Sequence, residues 1–165
     1  MILPPGPAAN APAPNLATLI AQQPFFHGLD AEQLQMLTDS AMEMQFEAGQ
    51  FLLQEGSPAN RFYIILEGEV VLETETAERE LTPIQTLGPG DELGWSWLFP
   101  AHYLQTNARA VVPTRALFFY GTRLAEHCDR DHDFGYQLLR RVGETLLARL
   151  QNLQKRLTQT TLPPL

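Results

Sequence analysis

Between about residues 41 and 120 the apolar side chains stop recurring at helical spacing. They fall instead into short runs: "MEMQFEAG", "QFLLQEGS", "RFYIILEGEVVLETET", "ELTPIQTLGPG", "TNARAVVP" and "TRALFFYG". Glycine, proline and acidic turns part these runs at roughly the 8–12-residue spacing of a sandwich or barrel. Within 61–75 the apolar positions include Phe62, Ile64, Leu66, Val70 and Leu72, followed by Thr74. Gly68 interrupts them where a hairpin turns. The region is predicted all-β, with roughly eight strands.

Helical period flanks it on both sides. Residues 1–14, "MILPPGPAANAPAP", hold five prolines and no charge and are expected to form an extended, flexible tail. Asn15 is a candidate N-cap for "LATLIAQQ", which ends before Pro24, and Asp30 for "AEQLQMLTDSA", with Leu34 and Leu37 on one face. "GTRLAEHC" reads as a short helical turn. The last helix is long, predicted over about 132–157, with apolar positions Leu139, Val142, Leu146, Leu150, Leu153 and Leu157. Spacings of 4, 4, 3 and 4 from Val142 onward approximate a heptad seam. Asp131 and Asp133 at its start and Arg149, Lys155 and Arg156 near its end suit the helix dipole. The organisation expected is a tail at 1–14, one domain at 15–157 with its β region at about 41–120, and a tail at 158–165.

Charge narrows the function. The net charge is −8, but residues 30–120 alone carry −10 and residues 121–165 carry +2. Lys155 is the single lysine. Such a body repels nucleic acid, whose binding rests on Lys and Arg at phosphates. One cysteine, Cys128, permits no intrachain disulfide, and no signal peptide or run of about 18 apolar residues is present. A cytoplasmic protein is expected.

"PFFHGLDAEQLQML", "FEAGQFLLQEGSPANRFYIILEGEVVLE", "TLGPGDELG" and "ARAVVPTRALFF" together resemble the cyclic nucleotide-binding domain, over about residues 24–157. Gly49, Gly56 and Gly68 match the family's turn glycines. The resemblance is greatest to the sensor half of the catabolite-activator/Fnr (Crp/Fnr) regulators. It implies a fold class of α+β, mainly β: an eight-stranded jelly-roll β-barrel with short N-terminal helices and a long C-terminal helix.

The chain departs from that family at the phosphate-binding cassette. There a Gly precedes a Glu that holds the ribose 2′-hydroxyl. About ten residues on, an Arg pairs with the cyclic phosphate, its planar fork donating two bonds at once. The matching positions here are Gly94, Trp95 and Leu104, so both polar anchors are replaced. Arg109, five places beyond Leu104, is expected on the opposite face of its strand as a surface or ion-pair arginine. A cyclic phosphate buried without a cationic partner keeps its desolvation penalty, so cyclic AMP and cyclic GMP are not expected to bind in the usual way.

The candidate pocket comprises Gly94, Trp95, Ser96, Trp97, Leu98, Tyr103, Leu104 and Thr106. Three readings stand. The indoles fill the old pocket; they line a new one for an apolar, planar or cationic effector; or one of them anchors a partner protein.

No enzyme signature appears. A cupin-like metal site needs clustered His ligands on strands, whereas His27, His102, His127 and His132 form no His-x-His pair. "HCDRDH" sits at a helix junction, "GWSWL" lacks the second Gly of a nucleophile elbow, and "GPGDELG" has no P-loop Lys. No catalytic residue, metal or cofactor is expected. The long helix is a candidate homodimer interface through Val142, Leu146, Leu150, Leu153 and Leu157, with Gly143 allowing close approach; one face serves the barrel and another a partner. The regulators continue into a DNA-reading domain, for which the eight residues after Leu157 leave no room. Output is therefore expected through the dimer or a partner protein, without direct DNA contact.

Overall fold

A computed structural model describes residues 14–100 and 103–160. The N-terminal tail up to residue 13, His102 and residues 161–165 lie outside the described residues. The chain opens with α1 (Leu16–Ala21), a 3-10 turn at Pro24–Phe26 and α2 (Ala31–Ser40). Asn15 caps α1, accepting from the Thr18 N–H at 2.9 Å. Asp30 and Gln33 form a reciprocal capping box at α2.

Eight strands follow: β1 (Ala41–Phe46), β2 (Phe51–Leu53), β3 (Arg61–Glu67), β4 (Val70–Glu75), β5 (Leu81–Leu87), β6 (Glu92–Leu93), β7 (Asn107–Ala110) and β8 (Thr114–Tyr120). They form two antiparallel four-stranded sheets, ordered β1-β8-β3-β6 and β2-β7-β4-β5. This is the jelly-roll arrangement predicted. The Gly68 corner differs from expectation. β3 and β4 lie in different sheets, so the residues around Gly68 carry the chain from one sheet to the other rather than closing a hairpin. Gly68 has φ 100°, and a Cβ there would meet the Thr114 hydroxyl at 2.4 Å.

The central strands are buried on both faces, which is why "RFYIILE" and "TRALFFY" read as continuous apolar runs. Tyr63, Ile65, Ala116 and Phe118 point into the barrel, against Leu52, Leu53, Leu87 and Leu93 of neighbouring strands. Phe62, Ile64, Leu117 and Phe119 point the other way, onto Ile20, Phe26, Leu37 and Phe134 of the helical layer. One sheet thus serves two cores.

α3 (Gly121–Arg130) and α4 (His132–Thr160) complete the helical layer. Asp131 caps α4, its Oδ1 accepting from the Phe134 N–H at 3.0 Å while Oδ2 accepts from Gln33. These bonds hold the Asp131 carboxyl below the usual range. α4 runs three residues past the predicted end, so residues 158–160, assigned to a tail, are helical. Among the described residues, no helix is long and apolar enough to cross a membrane.

Candidate functional site

The site begins at a tight turn. The Gly88 N–H donates to the Asp91 carboxylate at 2.9 Å, and the Gly90 N–H to the Ile65 carbonyl at 2.8 Å. This delivers the two-residue strand β6 onto β3, with Glu92 opposite Ile64 and Leu93 opposite Tyr63. Alternation sends Leu93 into the barrel and leaves Glu92 facing α4. Gly94 follows with φ 83°, and a Cβ there would lie 2.1 Å from the Arg61 carbonyl oxygen. Only glycine fits, and the chain then turns into a 3-10 helix at Trp95–Leu98.

That helix presents its apolar side to the helical core, not to the barrel interior. Trp95, Trp97 and Leu98 all pack against that core. Trp97 meets Phe62 edge-on with centroids 6.4 Å apart. It also presses on Gly121, where a Cβ would come within 2.6 Å of the indole. Trp95 meets Phe99 edge-on, and the Arg149 guanidinium lies 5.9 Å from its centroid. Both indole N–H groups are buried without an acceptor among the described residues.

The structure therefore divides the eight candidate residues. Leu104 is 6% exposed and sits inside the barrel with Leu52, Leu53, Tyr63 and Leu93. It also lines a narrow cleft of about 240 Å³ with Ser57 and Arg61, which no tryptophan reaches. Tyr103 is exposed, bridging to Pro58. Ser96 and Thr106 are half-buried. The single pocket expected from the sequence corrects to two unconnected places, because the wall of β3 and β8 separates the indoles from Leu104. Arg109 points outward between Ala108 and Ala110 and forms a bidentate pair with the buried Glu73, at 2.7 and 3.1 Å.

α4 covers the indole side. Phe134, Leu138 and Val142 bury one stripe in the helical core. Three arginines on the same side reach main-chain oxygens of the body. Arg141 donates to the Phe25 and His27 carbonyls, Arg149 to Glu92 at 2.6 Å and Arg156 to Ile84 at 2.5 Å. Burial pulls the Arg149 and Arg141 guanidinium groups below their ordinary value and pushes the Glu92 carboxyl up, with Thr145 and Arg149 opposing the Glu92 shift.

Val142 is a correction to the expected dimer seam. It is 1% exposed and belongs to the chain's own core. The exposed stripe runs instead through Tyr136, Leu139, Gly143, Leu146, Leu150, Leu153 and Leu157, alternating spacings of 3 and 4. Tyr136 was missed by the sequence reading, although the same alternation carried upstream would have found it.

Of the described histidines, His27 follows the first 3-10 turn, whereas His127 of α3 and His132 at the start of α4 line one cleft with Asp30 and Asp131. The Cys128 thiol is pushed up to about 11, chiefly by burial, which disfavours the reactive thiolate.

Residues 43–131, more than half of the chain, match the family model of the cyclic nucleotide-binding domain. The chain belongs to that family. It is 30% identical to a protein of Geobacter metallireducens GS-15, covering 78% of this chain and 92% of that one, with a TM-score of 0.71. The regulatory subunit of a cAMP-independent protein kinase A from Trypanosoma brucei shares the fold at 23% identity and a TM-score of 0.69, over 84% of this chain and 49% of that one. The CRP-like cAMP-activated global transcriptional regulator of Mycobacterium tuberculosis is 24% identical over 82% of this chain, which spans 60% of that relative's length.

Proposed function

We propose that this chain is a non-catalytic regulatory module, acting in the cytoplasm, that does not hold cAMP or cGMP in the family's usual manner. The observation that carries the reading is Leu104, buried inside the barrel where the resemblance places a phosphate-binding arginine. Trp95, at the ribose position, turns toward α4 instead. A cyclic phosphate entering this barrel meets Leu104 where that arginine would stand, and Arg61, on β3 at the lining of the adjoining cleft, holds a different place from it. The missing charge-assisted contact costs about 2–5 kcal/mol, on the order of a hundredfold or more in affinity. The Trypanosoma relative, described as cAMP-independent, supports separating the fold from that ligand; the Mycobacterium relative, described as cAMP-activated, is the contrasting case. Calorimetry with cAMP and cGMP tests the reading: no heat of binding is expected, and a micromolar dissociation constant for either overturns it.

Output runs through α4. Its leucine seam, exposed from Tyr136 to Leu153, has the spacing of a two-stranded coil and meets the same seam on a second copy. Gly143 lies within it, with open space beside its Cα. The homodimer, or a partner helix docking on the same face, passes on the state of the barrel. Light scattering at tens of micromolar reads a dimer; a monomer removes this part of the proposal.

A second reading is favoured by the two indole N–H groups without acceptors. A small effector bearing an acceptor and seated at the Trp95–Leu98 helix satisfies them. Tryptophan emission that stays blue-shifted and unquenched across a metabolite library rejects it.

A further inference from the structure

A cleft of about 560 Å³ opens between the Pro24–Phe26 turn, Gly90 and Glu92, and α4. That volume is within the range of small-molecule sites. Glu92, Arg140, Arg141, Glu144 and Thr145 are among its lining residues. Two of them each carry one buried polar atom without a hydrogen bond, an acceptor in one and a donor in the other. Glu92 is 6% exposed, and its Oε1 accepts no hydrogen bond among the described residues. The Arg141 Nε is likewise buried without an acceptor, although the two terminal nitrogens are tied to the Phe25 and His27 carbonyls. Buried polar atoms are nearly always satisfied, so an idle acceptor and an idle donor beside one cleft call for an explanation. Arg149 donates to the Glu92 main-chain oxygen and Thr145 stands close enough to the carboxyl to oppose its upward shift, yet neither gives Oε1 a hydrogen bond.

The charge balance narrows the occupant. The two carboxylates and two guanidiniums of the lining sum to zero. An anion alone meets the buried Glu92 without compensation, and a cation alone meets two arginines. A molecule with one pole of each sign answers both. The Arg140–Glu144 pair at the rim is long, at 3.3 Å, and solvent-exposed, so Arg140 is available at little cost.

We propose that this cleft binds a small zwitterion of the α-amino-acid class. Its ammonium donates to Glu92 Oε1, and its carboxylate accepts from Arg141 Nε and the Arg140 guanidinium. The site is separate from the family's nucleotide pocket. On α4 it uses none of the seam residues themselves, although Arg140 directly follows Leu139 at the seam's edge, and the reading of Leu104 does not enter it.

The test uses the full chain. Thermal shift followed by calorimetry screens each of the twenty protein amino acids. At least one is expected to bind with a dissociation constant below about 1 mM. Its decarboxylated amine and its N-acetyl derivative are each expected to bind about tenfold more weakly or worse, for want of one charged pole. Glu92→Gln removes the response while the unliganded variant still melts cooperatively, and Arg140→Ala, at the exposed rim, weakens it. The proposal is overturned if none of the twenty binds at about 10 mM, if binding survives Glu92→Gln, or if the amine binds as well as the amino acid.

Discussion

Leu138 and Leu139 are adjacent on α4 and meet opposite fates. Leu138 is 2% exposed, packed in the helical core with Phe134 and Val142, whereas Leu139 is 48% exposed on the outer seam. The inner face mixes those apolar residues with arginines that reach carbonyls of the 3-10 turn, β5 and β6. The outer face is an uninterrupted heptad stripe without such anchors from Tyr136 to Leu153. The inner face is bound to this barrel in particular, while the outer face carries a general pattern that any matching helix can complete. Hydrophobicity does not distinguish the two; the directed bonds of the arginines do.

The sharpest way to break this comparison is to truncate one leucine at a time. Leu138→Ala is expected to cost about 2–5 kcal/mol in urea unfolding, as large-to-small core changes do. Leu139→Ala is expected to change protomer stability by no more than about 0.5 kcal/mol. Equal losses at both positions undo the assignment of faces. Leu104→Ala extends the comparison to the barrel interior and is expected to cost about 2–3 kcal/mol if that space is filled core. A near-neutral result points to an open pocket instead.

Leu150→Glu addresses the outer face alone. Light scattering is expected to show monomer, with the chemical-denaturation profile of the protomer little changed. A variant that remains dimeric moves the interface elsewhere.

The smallest effect is expected at Glu92. Burial raises its carboxyl above the ordinary value, so the folded state holds the proton more tightly than the unfolded chain does. Its contribution to stability is therefore full below the unfolded value and declines as pH rises through the folded one. Glu92→Gln is expected to melt higher than the parent at pH 7, with the gap closing toward pH 4. A gap that widens on acidification reverses the sign and shows the carboxylate to be stabilised by Arg149 instead.

Much of the local structure was legible in the amino acids. Asn15 and Asp30 cap helices because each side chain reaches an N–H three residues ahead, and Asp131, expected at the start of α4 only for its charge, does the same. Gly94 permits a backbone that a Cβ forbids, and Arg109 has its ion-pair partner one strand away on the same sheet face. The candidate site was legible only in part. Gly94, Trp95 and Leu104 were singled out as the places where cassette residues are replaced, but they were assigned to one cavity. The orphaned Glu92 left no mark, since a lone glutamate after an acidic turn reads as surface.

What the sequence determined by itself was therefore what depends on neighbours along the chain: caps, turn glycines, the strand-rich middle and the heptad repeat. Tertiary structure decided what depends on distant partners. It set β3 and β4 in different sheets, put the tryptophans and Leu104 on opposite sides of one wall, and turned Val142 inward while Leu146 stayed out. A side chain's period says which residues share a face. Only the assembled sheets and helices say what that face meets.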